Sequence, residues 1–218
     1  MKTLIITLLA ALLGATTPVL AQSSDQYKQA MTDALGTLKT QNMTTPPADM
    51  LASANQFERI AGVETKEWLP RYYAGLQYVF LGFTGKTPAE KDAYLDKADA
   101  NLKAAEAIND NNDELAVLKA YIAQARMAVD PMSRWQQYGP PFQTNLEKAM
   151  RLNPENPRPY VLQGTSLMYT PEEFGGGPKK ACPVLQKADE KFATFKPVGD
   201  LHPNWGKSQV KPMLEKCK

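Results

Sequence analysis

Asn101-Leu102-Lys103-Ala104-Ala105-Glu106-Ala107-Ile108-Asn109-Asp110-Asn111-Asn112 returns 44 residues later as Asn145-Leu146-Glu147-Lys148-Ala149-Met150-Arg151-Leu152-Asn153-Pro154-Glu155-Asn156. Identical residues stand at 101/145, 102/146, 105/149, 109/153 and 112/156, and the register runs on through Val117/Val161 and Leu118/Leu162. Each copy is an apolar-striped helix that ends at asparagine, crosses a short polar turn and opens a new apolar helix. A period of that length, with one helical hairpin per period, predicts stacked hairpins, each burying its apolar face against the next. Such a stack is a surface for holding something more often than a frame for chemistry.

Outward from the echo, apolar residues keep the 3.6-residue spacing of helices along the whole chain. Helices are predicted over 26–40, 48–63, 66–83, 87–108, 113–129, 142–152, 160–169, 178–195 and 204–217, with a short aromatic one over 132–138. Gly139-Pro140-Pro141 reads as a break between that short helix and the echoed one. The 66–83 segment, with Trp68, Tyr72, Tyr73, Leu76, Tyr78 and Phe80, is apolar nearly all round and belongs at the centre of the stack. Thr87-Pro88-Ala89-Glu90 has the order of an N-cap, a proline at the first helical position and an acidic residue at the third. No segment alternates with a period of two, so the chain reads as all-α.

The start of the chain reads differently. Lys2 precedes an apolar run from Leu4 to Leu13, Pro18 breaks it, and Val19-Leu20-Ala21 offers small residues ahead of a cleavage point before Gln22. Residues 1–21 therefore predict a secretory signal, too short to span a bilayer. With no cysteine at the cleavage point, a lipid anchor is not expected, and the location expected for residues 22–218 is periplasmic or secreted. A net charge of +2 with both signs interspersed gives no built-in attraction for nucleic acid or anionic membrane, and no second apolar stretch suggests membrane insertion.

Cys182 and Cys217 are the only cysteines. In an oxidising compartment they predict one disulfide, bringing roughly 3–4 kcal/mol through loop closure. Two free thiols or a metal site are the rival readings. His202, the only histidine, would bring a metal set to three ligands, one short of a closed zinc site. No cofactor motif, serine-nucleophile elbow, zinc-protease helix or carboxylate-pair signature is present, so the expectation is a non-enzymatic protein. The Phe174-Gly175-Gly176-Gly177 loop beside Lys179 and Lys180 could present N–H groups to an anion, but a flexible interhelical connection is the simpler reading. Asp110 to Asp113 lacks the glycine and glutamate of a calcium loop.

The hairpins resemble tetratricopeptide repeats in a long, degenerate form. The resemblance rests on the Ala-x-x-Leu/Ile-Asn ending, on small residues Gly75, Ala120 and Gly164 in one slot, and on Leu-x-Lys-Ala phrases closing at Ala98, Ala149 and Ala188. It implies an α-solenoid of about three to four units, with repeats at about 66–112, 113–156 and 157–196 and a cap over 197–218, within a single domain 22–218. Glu173 to Ala181 and Pro203 to Gly206 also resemble exported bacterial proteins of this type, some of which accompany transporters. In such a solenoid the first helices of the units line one face. Arg71, Tyr72, Gln77, Lys119, Arg126, Arg158 and Gln163 are the candidate binding residues there. The resemblance implies a scaffold that holds an envelope or secreted protein or peptide, or alternatively a small-molecule-binding accessory of an envelope transporter. The exposed ends of a stack also allow self-association.

Overall fold

The computed structural model describes residues 18–42 and 44–218. The predicted signal segment lies, for residues 1–17, outside the described residues. Nine α-helices and one 3-10 turn are found among the described residues, and no strand: α1 Pro18–Thr40, α2 Pro47–Val63, α3 Leu69–Thr84, α4 Pro88–Glu106, α5 Asp113–Val129, α6 Pro131–Leu152, α7 Arg158–Tyr169, α8 Pro178–Thr194 and α9 Lys207–Glu215. Neighbours in sequence pack as antiparallel pairs (α3 with α4, α5 with α6, α7 with α8), while α3 meets α5 and α5 meets α7. The all-α, repeat-like architecture expected from the echo is what the chain adopts.

The echoed asparagines explain why the hairpins turn where they do. Asn112 Oδ1 accepts from the Glu114 and Leu115 N–H groups, 2.9 and 3.2 Å, capping α5. Asn156 Oδ1 accepts from the Arg158 N–H at 3.0 Å, closing the turn that leads through Pro157 into α7. The Asn112 cap satisfies donors that the first helical turn leaves without partners, worth about 1 kcal/mol. Thr87 caps α4 through the Glu90 N–H at 3.1 Å, and Glu90 reaches back to the Lys86 N–H at 2.7 Å.

Small residues set the helix spacing between and within hairpins. A Cβ on Gly75 would come to 3.1 Å from Leu118, and one on Gly164 to 2.7 Å from Leu185. Ala98, Ala149 and Ala188 are all fully buried. As its composition predicts, α3 has most of its length buried, from Leu69 to Gly82.

One expectation changes. Gly139-Pro140-Pro141 does not end a helix: α6 runs unbroken from Pro131 to Leu152. Proline removes an N–H and crowds the preceding turn, so the ladder is interrupted there, but Asn145 Nδ2 donates to the Pro141 carbonyl at 2.7 Å and Phe142 and Leu146 anchor the second half in the core. Trp135 and Tyr169 are more than half exposed.

Cys182 and Cys217 are joined, with Cα atoms 5.9 Å apart. The bridge closes a loop that contains α8, α9 and the connection between them.

Candidate functional site

That connection decides how much of the first-helix face is free. The segment 195–206 folds back across the N-terminal halves of α3, α5 and α7. Trp205 stacks on Tyr121 of α5 (ring centroids 5.6 Å) and its indole N–H donates to the Tyr72 hydroxyl at 2.7 Å. The Tyr73 hydroxyl donates to the Leu201 carbonyl at 2.9 Å. The Arg158 guanidinium lies 4.7 Å from the Phe195 ring centre and 5.8 Å from that of Trp205.

Beneath this segment is a buried polar hub. Arg158 has no exposed surface and donates Nε–H to both oxygens of Glu114, at 2.8 and 3.0 Å, and Nη2–H to one of them. Asn156 Nδ2 adds a bond to Glu114 at 2.7 Å, and the Tyr72 hydroxyl another at 3.4 Å. Burial pushes the Glu114 carboxyl above its ordinary value despite the opposing pull of Arg158. The hub ties α3, α5 and α7 to the returning segment.

Three candidate binding residues are therefore enclosed. Tyr72 and Arg158 belong to the hub, and Gln77, fully buried, donates to Gln41 Oε1 (2.7 Å) and Ser53 Oγ (3.2 Å) beneath α1 and α2. Repeat register put them on the right helices, but the covering elements lie outside the repeat and leave no mark in it. Arg71 is half-buried and bonds Asn101 at 3.4 Å. Gln163 is half-buried on α7. The remaining two, Lys119 and Arg126, come together elsewhere.

They line a cleft of about 290 Å³ between α4, α5 and α6, whose walls include Ile122, Tyr138, Pro141 and Asn145. Arg126 reaches Asp96 and Asp99, both at 2.6 Å, and Asp92 at 3.3 Å. Arg134 grips Asp92 with two bonds of 2.7 Å. Those hydrogen bonds hold the Asp92 carboxyl below its ordinary value and Arg134 above its own, with Tyr138 a smaller influence on Arg134. Lys119 pairs with Glu106 at 3.0 Å but keeps half its side chain exposed. The lining mixes apolar Ile122, Ala123 and Pro141 with Asp99, Gln137, Asn145, the Tyr138 ring and the half-exposed Lys119 side chain, a combination able to hold a small ligand by both apolar and polar contacts. Tyr138 was legible as an aromatic, and its place beside two α5 cations comes from the α5–α6 pairing.

The other motifs settle as structure. The glycine N–H groups of 175, 176 and 177 are all spent on backbone carbonyls of Glu172, Pro171 and Leu167, leaving none for an anion. The His202 ring stands edge-on to Trp68, its buried Nδ1 has no partner among the described residues, and burial lowers its pKa. Among the described residues no group of three or more His, Cys, Asp or Glu is placed to hold a metal ion.

No protein-family model matches the sequence, and no curated protein does. A solved structure does: the HusA haemophore from Porphyromonas gingivalis, 33% identical, with 94% of this chain and 96% of that one superposing at a TM-score of 0.77. Identity at that level over nearly the whole of both chains reaches well beyond a shared fold, and the chain belongs to the family of that haemophore.

Proposed function

We propose that this chain is an exported, non-catalytic carrier of a haem-type tetrapyrrole, built on a tetratricopeptide-like stack, with the α4–α5–α6 cleft as the seat. The carrying observation is the relationship to the HusA haemophore across almost the full length of both chains. In this reading the repeat units are 66–112, 113–156 and 157–196, capped by 197–218, and residues 1–21 direct export. The disulfide supports an oxidising destination.

The cleft's chemistry supports the cargo. Ile122 and Pro141 offer apolar walls to a macrocycle, Lys119 an anchor for a carboxylate, and the Tyr138 phenol an oxygen donor of the kind that ligates haem iron. At about 290 Å³ the cleft is at the small end of ligand sites, so it would grip one edge and leave the rest open for transfer. A peptide laid along α3, α5 and α7 would first have to displace segment 195–206, and this favours the small-molecule reading over a peptide scaffold.

The test is a titration of ferric haem into the purified chain, followed by its Soret absorbance. One equivalent should saturate. Tyr138→Phe should change the spectrum and weaken binding by about tenfold or more, and Lys119→Ala should weaken it less. Unsaturable binding, or a spectrum and affinity untouched by Tyr138→Phe, would overturn the assignment.

A further inference from the structure

The two halves of α6 are held in different ways. From Phe142 onward the helix is seated in the core through Phe142, Leu146 and Ala149. From Pro131 to Pro141 no residue is buried, and none of the apolar ones belongs to the core cluster. Yet Met132, Trp135 and Gly139 continue the stripe of Phe142, Leu146 and Ala149 at the same three- and four-residue spacing. Met132 is 75% exposed and Trp135 57%, so the stripe runs out of the core into water. Among the described residues, the only side-chain hydrogen bonds from this half to another helix are the two from Arg134 to Asp92 of α4, both 2.7 Å. Arg134 stands about 100° around the helix from Trp135, so the tie and the bare stripe lie on different sides.

The halves meet at Pro140-Pro141. Neither proline has an N–H, so the carbonyls of Gln136 and Gln137 lack their helical donors and two successive rungs of the ladder are missing. Sharp bends of helices concentrate at such points. Gln137, Tyr138, Pro141 and Asn145 form the α6 wall of the α4–α6 cleft, and the first two of them ride on the loosely held half.

From these features we infer that residues 131–139 are a hinged flap on the α4–α6 cleft, turning about Pro140-Pro141 and latched to α4 by the Arg134–Asp92 pair. With the latch closed, α6 is held against α4 and the Met132–Trp135 stripe stays in water. With the latch open, the flap turns that stripe towards the side on which Phe142 and Leu146 are buried. Gln137 and Tyr138 move with it, and the cleft widens. A partly exposed ion pair thus opposes the burial of two apolar side chains, and a balance between two weak terms is one that a molecule in the cleft can shift. That the flap gates a tetrapyrrole rests on the reading of this cleft given above; the hinge and the latch do not.

Pulsed electron–electron distance measurement on the unliganded chain tests this. Cys182 and Cys217 are bonded to each other, so spin labels go only to introduced cysteines. One pair, Gln136→Cys with Asn55→Cys, spans from the flap to α2; a reference pair, Glu147→Cys with Asn55→Cys, spans from the seated half to the same point, and all three positions are exposed. The flap pair should show two distance populations and the reference pair one. Arg134→Ala should raise the share of the second population at least about twofold, and Pro140→Ala, which returns a donor to the Gln136 carbonyl, should lower it by as much. The reference pair should stay unchanged in both variants, which also shows that the stack remains folded. A single population for the flap pair, as narrow as the reference, would overturn the inference. So would a second population that neither substitution moves. Because no haem is present, failure of haem binding would leave these outcomes unaffected.

Discussion

Two arginine–carboxylate ties hold this stack, and they behave in opposite ways. Arg158 and Glu114 join α7 to α5 with no contact to solvent at the arginine. Arg126 and Arg134 join α5 and α6 to Asp92, Asp96 and Asp99 of α4 in a partly exposed clasp. The Asp92 carboxyl is pulled below its ordinary value, chiefly by the Arg134 hydrogen bonds, whereas the Glu114 carboxyl is pushed up by burial. The same chemical pairing thus favours the charge where water remains and strains it where water is excluded. A buried pair specifies an arrangement more than it stabilises one, and it is costly only when half of it is removed.

The largest expected effect follows from that asymmetry. Arg158→Ala should leave Glu114 buried and unpaired, lowering unfolding free energy by about 3–5 kcal/mol in urea titration. Replacing both partners, Glu114→Met with Arg158→Leu, should recover most of the loss. If the double variant is as unstable as the single one, the hub is a source of stability and the comparison fails. Next, Cys182→Ser with Cys217→Ser should cost roughly 3–4 kcal/mol by releasing the loop that carries Trp205 onto the hub. The α4–α6 clasp, outside that loop, should keep its hydrogen-exchange protection. Equal deprotection of both regions would contradict their independence.

At the exposed tie the effects are smaller. Asp92→Asn or Arg134→Ala should cost less than about 1 kcal/mol and less still in high salt. The pH dependence separates the two ties further. Asp92, depressed in the fold, contributes fully above its ordinary value of 3.8 and loses its contribution as pH falls through the lower folded value. Glu114, raised in the fold, has the opposite sign: its protonated form is favoured by folding, so its contribution declines as pH rises past 4.5. As pH falls below 3.8, Asp92→Asn should therefore flatten the acid loss of stability, whereas Glu114→Gln should act above 4.5, removing a gain in stability that the wild type shows as pH falls towards that value.

How much of this was readable beforehand differs by region. The echo located the hairpins because its asparagines act locally, Asn112 capping α5 and Asn156 closing the turn into α7. Gly75 and Gly164 were readable from the repeat register, each meeting a leucine on a helix packed against its own. The fill of the α3–α5–α7 face was not. Trp205 reaches Tyr72 across 133 residues, and nothing near Trp205 marks that contact beyond an aromatic between Pro203 and Gly206. Continuity of α6 through two prolines depended likewise on tertiary anchoring of Phe142 and Leu146. For the cleft, Lys119 and Arg126 could be named from helix register, while Tyr138 joined them only through α5–α6 packing.

The most direct test of the central claim is where ferric haem sits. Its unpaired electrons broaden nearby amide resonances, so a two-dimensional NMR spectrum of the chain with one equivalent of haem maps the seat. Broadening should centre on residues 119–126 and 137–145 and spare α1 and α2. Broadening centred on segment 195–206 and the faces it covers, or none at all, would contradict it.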